Sequence, residues 1–250
     1  MMTMHGSDPW FLSVLFFVTA VLYSSVGNAG ASGYLAAMTL AGLSPDVMKS
    51  TALLLNILVA LITAVRFYRA GHFSWALFWP FTVASVPCAF LGGVLVLPGA
   101  LYRGLVGIVL VCAAYRLFWY ADQTRSRPEV VPRALALLLG ACLGFISGLT
   151  GIGGGIFLGP LLLVMGWAEP RQSASVSAAF ILVNSVAGLC VETISVHALP
   201  SAAPLWAGAV VVGGLIGSEL GARRLAEVAF RRLLAVVLAI AGLKLILLRR

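Results

Sequence analysis

Apolar runs long enough to cross a bilayer succeed one another along this chain from Trp10 to Leu248, with almost no polar stretch between them. A hydrocarbon core of about 30 Å takes roughly 20 apolar residues of helix, so no length remains for a separate water-soluble domain. Composition points the same way. The 250 residues are 61% hydrophobic and 10% charged, whereas a soluble domain has about 45–50% apolar and about 25% charged residues. The sequence therefore predicts an all-α polytopic membrane protein.

Glycine, proline and charge divide the first half into five helical pieces: Trp10–Val26, Ala31–Leu43, Pro45–Tyr68, Ser74–Leu97 and Leu101–Tyr120. The second half divides the same way, into Pro132–Thr150, Gly154–Trp167, Pro170–Val196, Ala202–Ala222 and Phe230–Leu248. Residues 1–120 then form a first membrane repeat and 132–250 a second, joined by the polar linker 121–131. Met1–Asp8 lacks the positive start of a cleaved signal, so the run from Trp10 is expected to stay as a helix.

The halves share an internal pattern. GNAGASGYLAAMTLAGLSPDVMKSTALLLN from Gly27 answers GIGGGIFLGPLLLVMGWAEPRQSASVSAAFILVN from Gly151. Each reads as a glycine cluster, a short apolar helix, a proline-marked helix start, a hydroxyl pair and a mid-helix asparagine, with the asparagine register drifting by two residues. The short piece, at about 1.5 Å per residue, reaches only about 20 Å, too little for an upright crossing. Each is expected to fold back on the helix before it as a hairpin around the glycines.

Lysine and arginine gather in cytoplasmic loops, which tests the topology. With the linker inside and each hairpin returning to its own side, eleven of the sixteen Lys and Arg residues fall inside and five, among them Lys49, fall outside. Letting each hairpin count as one crossing leaves nine against seven. The first arrangement gives each repeat an odd number of crossings, so the expected architecture is two inverted repeats of about five helical segments each, with glycine-broken helical hairpins.

The glycine clusters are the strongest candidates for chemistry. Glycine lets the chain unwind and a ligand approach the backbone, and the free N–H groups at a helix start favour an anion. Two such starts facing each other near the midplane make an anion site without a buried cation. Isolated glycines in membranes more often serve close helix packing; paired clusters at matching repeat positions favour a site. The candidate substrate-binding residues are Asn28, Gly30, Ser32, Thr51 and Asn56 in the first repeat, and Gly153, Gly154, Gly155, Ser177 and Asn184 in the second. Hydroxyls and amides donate to oxyanion oxygens, although any single Ser or Thr more often bonds to its own helix or a neighbouring one.

Glu192 and Glu219 lie within or near the ends of apolar segments and are the candidates for proton coupling; Glu219 has an alternative structural partner in Arg223 one turn later. Cys88, Cys112, Cys142 and Cys190 are scattered singly, without the spacing of a metal or redox site. His5, His72 and His197 have no partner at metal or triad spacing. No catalytic centre, metal site or cofactor is expected. The net charge of +8 sits mainly between apolar runs, where its partner is membrane lipid rather than nucleic acid.

ISGLTGIGGGIFLGPLLLVMGWAEPRQSASVSAAFILVNSVAGL (146–189), with SSVGNAGASGYLAAMTLAGLSPDVMKSTALLLNILVA (24–60), resembles the TauE/SafE sulfite exporter family. The resemblance extends over nearly the whole chain. It implies a duplicated membrane transporter of sulfite, sulfonates or other sulfur-containing anions, in the cell membrane, with homo-oligomerisation left open. It carries over no catalytic motif, and the first half departs from GxGGG at Asn28, Ala29, Ala31 and Ser32. Members are described with seven or eight crossings, so the hairpins are counted differently there. The expected function is secondary transport of a small sulfur oxyanion or sulfonate by alternating access, with a passive anion channel as the alternative.

Overall fold

The computed structural model of the chain describes residues 9–95, 131–191 and 200–223, together with single positions between 98 and 115 and at 239 and 243. Within these lie eight helices: α1 (Pro9–Ser25), α2 (Ala31–Leu40), α3 (Pro45–Arg69), α4 (Trp75–Val94), α5 (Arg133–Thr150), α6 (Gly155–Val164), α7 (Pro170–Val191) and α8 (Ala203–Arg223). Five are long and apolar enough to cross a membrane, and α1 is a shorter apolar helix. The expected pieces are recovered within a few residues. The piece at 101–120 appears as scattered helical positions. The linker 121–130, Glu192, His197 and nearly all of the last piece lie outside the described residues.

Local chemistry explains the helix ends. Pro45 sits at the first position of α3, where its missing N–H costs nothing, and Arg66 and Arg69 occupy the last turn, where cations meet the negative end of the dipole. The helix ends repeat one device. The amides of Asn28, Leu43, His72 and Trp167 each bond back five residues, to Tyr23, Met38, Phe67 and Leu162, and the glycine before each bonds back three. This double bond satisfies the last carbonyls and turns the chain sharply. The short helices α2 and α6 have 10 residues each, about 15 Å of rise, and both follow a glycine break.

Packing pairs the two halves. α1 lies on α8, α4 on α5, and α3 on α7; α4 also meets α7, and α8 meets α3. Small residues set the first two contacts. A Cβ on Gly140, Gly144 or Gly148 would overlap the carbonyl oxygen of Phe81, Ser85 or Ala89, and Gly217 and Gly221 stand equally close to the carbonyls of Val21 and Ser25. These four-residue stripes let backbones touch where no hydrophobic drive separates protein from lipid.

The same contacts give directions. Residue numbers rise together across α4 and α5, across α1 and α8, and across α3 and α8, where Gly214 meets Val59 and Glu219 meets Arg66. Across α3 and α7 they run oppositely: Leu53 meets Gly188, Asn56 meets Ser185, and Phe67 clusters with Ala174. α1 and α3 therefore point the same way, and α7 points against them.

Candidate functional site

Both breaks are built on left-handed glycine. Gly27 and Gly30 have φ of +79° and +104°; Gly151, Gly153 and Gly154 have φ of +75°, +85° and +72°. Side chains with a Cβ pay about 1–2 kcal/mol per residue in that region, so the second break in particular holds a backbone path that other residues resist. Gly30 and Gly154 are the N-caps of α2 and α6, and neither helix start receives a side-chain cap. The first N–H groups of α2 thus lack intrahelical acceptors, whereas at α6 the Gly155 N–H donates to the Gly153 carbonyl at 2.9 Å and the Phe157 N–H to the Gly154 carbonyl at 3.1 Å.

Each break is seated on the long helix of the other half. Gly27 packs against Ala174 of α7, and Gly151 against Lys49 of α3. At Gly153 the nearest neighbours of an added Cβ would be Ile181 and Ser185 of α7 and the Asn56 amide nitrogen of α3. α3 and α7 therefore meet at the second break from opposite sides. Residues 27–38 and 151–156 are buried throughout, and Ala29, Ile152, Ile156 and Ile181 belong to one apolar core, so the breaks are closed over in this conformation.

Within that closed core several polar atoms have no hydrogen-bond partner: Asn28 Oδ1, Thr51 Oγ1, Asn56 Oδ1, Ser147 Oγ and Ser177 Oγ. Buried polar groups are nearly always bonded, so a cluster of orphans needs explaining. Three of them border the second break. Asn56 reaches Ile152 and Gly153, Ser147 lies beside Gly154, and Ser177 lies between Gly155 and Gly159. These unpaired polar atoms make the second break a polar spot inside an apolar core.

The expected site residues separate on this map. Asn56, Gly153, Gly154, Gly155 and Ser177 come together around the second break. Asn28 and Gly30 belong to the first break, where Gly30 stands against the Tyr34 ring. Ser32 is bonded to the Tyr23 hydroxyl at 2.7 Å. Thr51 is fully buried and unpaired. Asn184 is occupied at both ends: it accepts from Ser85 of α4 and donates to the Phe180 carbonyl at 2.9 Å. Glu219 forms an ion pair with Arg66 across the α3–α8 contact, a partner in another helix that local spacing does not reveal.

Sequence reasoning missed two features. Lys49, counted above among external loop charges, is 8% exposed within α3, its Nζ donating to the Gly93 carbonyl at 3.3 Å. The reason is its position one turn into a buried helix, facing the second break. Ser147, a polar neighbour of the cluster four residues before Gly151, is one of the orphaned hydroxyls beside Gly154. The four-residue glycine spacing of α5 and α8 was legible as packing. An apolar groove of about 430 Å³ between α1 and α8, lined by Trp10, Val14, Phe17, Leu205 and Val212 among others, opens outward, where lipid chains suit it.

Comparison with known proteins agrees with this architecture. The sulfite exporter TauE/SafE family model matches residues 12–245. "Probable membrane transporter protein y4hK" of Sinorhizobium fredii is 41% identical over 94% of this chain and 97% of its own length. "Probable membrane transporter protein YjnA" of Bacillus subtilis is 28% identical over 90% of this chain and 94% of its own. "Probable membrane transporter protein MJ0441" of Methanocaldococcus jannaschii is 27% identical over 71% and 70%. No solved structure gives a significant match. With its helices, its hairpins and nearly its whole length accounted for, the chain belongs to the TauE/SafE family and is a multi-pass membrane transporter of the cell membrane, not an enzyme.

Proposed function

We propose that this transporter is a secondary carrier that exports a small sulfur-containing anion, sulfite or an organosulfonate, by alternating access. The observation that carries the reading is the set of buried, unpartnered polar atoms gathered around a glycine-broken helix start. Hydroxyls there replace part of the hydration, while the buried Lys49 beside the break is held on the Gly93 carbonyl at 3.3 Å, so the anion is bound loosely enough to leave on the other side. The sulfur chemistry and the outward direction follow the family's description.

Alternating access is supported by the helix directions. α3 and α7 hold equivalent places in the two halves, each opening on the proline after its short helix, and they run antiparallel. α1 and α3 run parallel, as they would if the hairpin returns to its own side. Both relations fit two inverted repeats about an axis in the membrane plane, a plan in which one half rocks against the other around a midplane site. If flux is coupled to protons, Glu192 and Glu219 are the groups that carry them.

The test is flux of labelled sulfite and sulfoacetate in proteoliposomes, for the wild type and the Asn28→Leu, Ser147→Ala and Gly154→Leu variants. Saturable flux that exchanges counter-substrate, and that falls in these variants, is the expected result. Flux unchanged in all three removes the proposed site. Ohmic single-channel currents in place of counter-exchange replace the carrier with a passive anion channel.

A further inference from the structure

An anion site needs donors, yet a fully buried orphan beside the second break is an acceptor. Asn56 is fully buried. Its Nδ2 donates to the Ile152 carbonyl at 3.2 Å and lies 3.5 Å from Ser185 Oγ. Those contacts fix which way the amide faces, because turning it over would set Oδ1 against the Ile152 carbonyl, acceptor against acceptor. Oδ1 is then left pointing elsewhere, buried and unpartnered. Asn28 at the first break also leaves its Oδ1 buried without a partner.

A fully deprotonated oxyanion such as sulfate offers lone pairs only. Against Asn56 Oδ1 it would meet repulsion, and the oxygen's lost hydration would stay unpaid. Thr51, Ser147 and Ser177 do not settle this, since a hydroxyl turns to donate or accept as the ligand requires. The carboxamide oxygen cannot turn.

Resting on the anion reading above, we infer that the substrate is a singly charged sulfur oxyanion that carries its own hydrogen-bond donor, either a protonated oxyanion such as hydrogensulfite or a sulfonate bearing a hydroxyl group, with that donor delivered to Asn56 Oδ1. The unpartnered hydroxyls of Ser147 and Ser177 hold the charged oxygens; Asn56 reads the proton. The site thereby discriminates against donor-free anions of similar size, because a buried acceptor left unpaired rejects the analogue that lacks the matching group.

The matched pair 2-hydroxyethanesulfonate and ethanesulfonate differs by one hydroxyl at equal charge. Each is tested as an inhibitor of labelled sulfite flux in proteoliposomes, at one pH, with the wild type and Asn56→Leu. The hydroxylated compound is expected to inhibit at about 10-fold to 100-fold lower concentration, and Asn56→Leu is expected to abolish the difference. In the same vesicles without a pH gradient, sulfite flux from mildly acid to mildly alkaline pH should follow the protonated monoanion. Equal inhibition by the pair, as an ordered water filling the donor's place predicts, overturns the inference, as does a preference that survives in a folded Asn56→Leu or flux that follows the dianion. The wild-type measurements need no variant, so poor folding of Asn56→Leu does not shield the idea. Absence of any sulfite or sulfonate flux strikes the anion reading itself, whereas flux without discrimination strikes only the role given to Asn56.

Discussion

Three glycine-to-alanine changes separate backbone strain from crowding at the second break. Gly42, in the turn between α2 and α3, has φ of +74° with nothing within 4 Å of an added Cβ, so Gly42→Ala carries strain alone, about 1–2 kcal/mol. Gly155 has no positive φ, but its Cβ would overlap the Ile181 side chain and come within 2.8 Å of the Ser177 carbonyl oxygen. Gly155→Ala therefore carries crowding alone, about 1–3 kcal/mol. Gly153 has both burdens, with φ of +85° and a Cβ 2.8 Å from Ile181 Cγ2, 3.0 Å from Asn56 Nδ2 and 3.1 Å from Ser185 Oγ. If the two costs add, Gly153→Ala loses about 2–5 kcal/mol. Thermal unfolding of the purified protein in one detergent should rank Gly42→Ala as mildest and Gly153→Ala as most severe. Reconstituted flux should survive in Gly42→Ala and fall in the other two even below their melting temperatures. A Gly153→Ala protein as stable and as active as Gly42→Ala refutes the claim that this break is a filled and functional seat.

Other changes test the frame around it. Asn184→Leu deprives Ser85 of its buried acceptor and should destabilise the α4–α7 contact by about 1–3 kcal/mol, read as a lower melting temperature; an unshifted melt contradicts that role. The Arg66 and Glu219 side chains are 37% and 36% exposed, so their pair is worth about 0–1 kcal/mol; Glu219→Gln should barely move the melt, and an unchanged pH profile of flux would eliminate Glu219 as a proton carrier. In a background with the four native cysteines replaced, Leu53→Cys combined with Gly188→Cys should be joined by a short bifunctional thiol reagent. Leu53→Cys combined with Ala178→Cys should not, and the reverse pattern would mean that α3 and α7 run parallel.

The segments and breaks were legible because they are written in local chemistry. Gly27, Gly30, Gly151 and Gly153 take a backbone path that glycine alone enters cheaply, and Pro45 and Pro170 mark helix starts wherever they sit. Partnership across helices was not legible. Asn56 and Asn184 look alike in sequence, each mid-helix in its own repeat, yet one keeps a free carbonyl oxygen at the break while the other is spent on Ser85. Glu219 has Arg223 one turn away in sequence, and its ion pair with Arg66 exists because α8 lies along α3. Lys49 reads as a flanking charge until the fold lays the second break over it. In each case the deciding neighbour is more than thirty positions distant, and nothing local points to it.

The exchange of seats between the halves bears on how the protein is made. While the ribosome is still working on the second half, α7 does not yet exist, and the loop at Gly27 has nowhere to settle. Until then Asn56 also lacks the Ile152 carbonyl that its amide bonds in the folded protein. The two breaks are therefore fully seated only once both halves have docked.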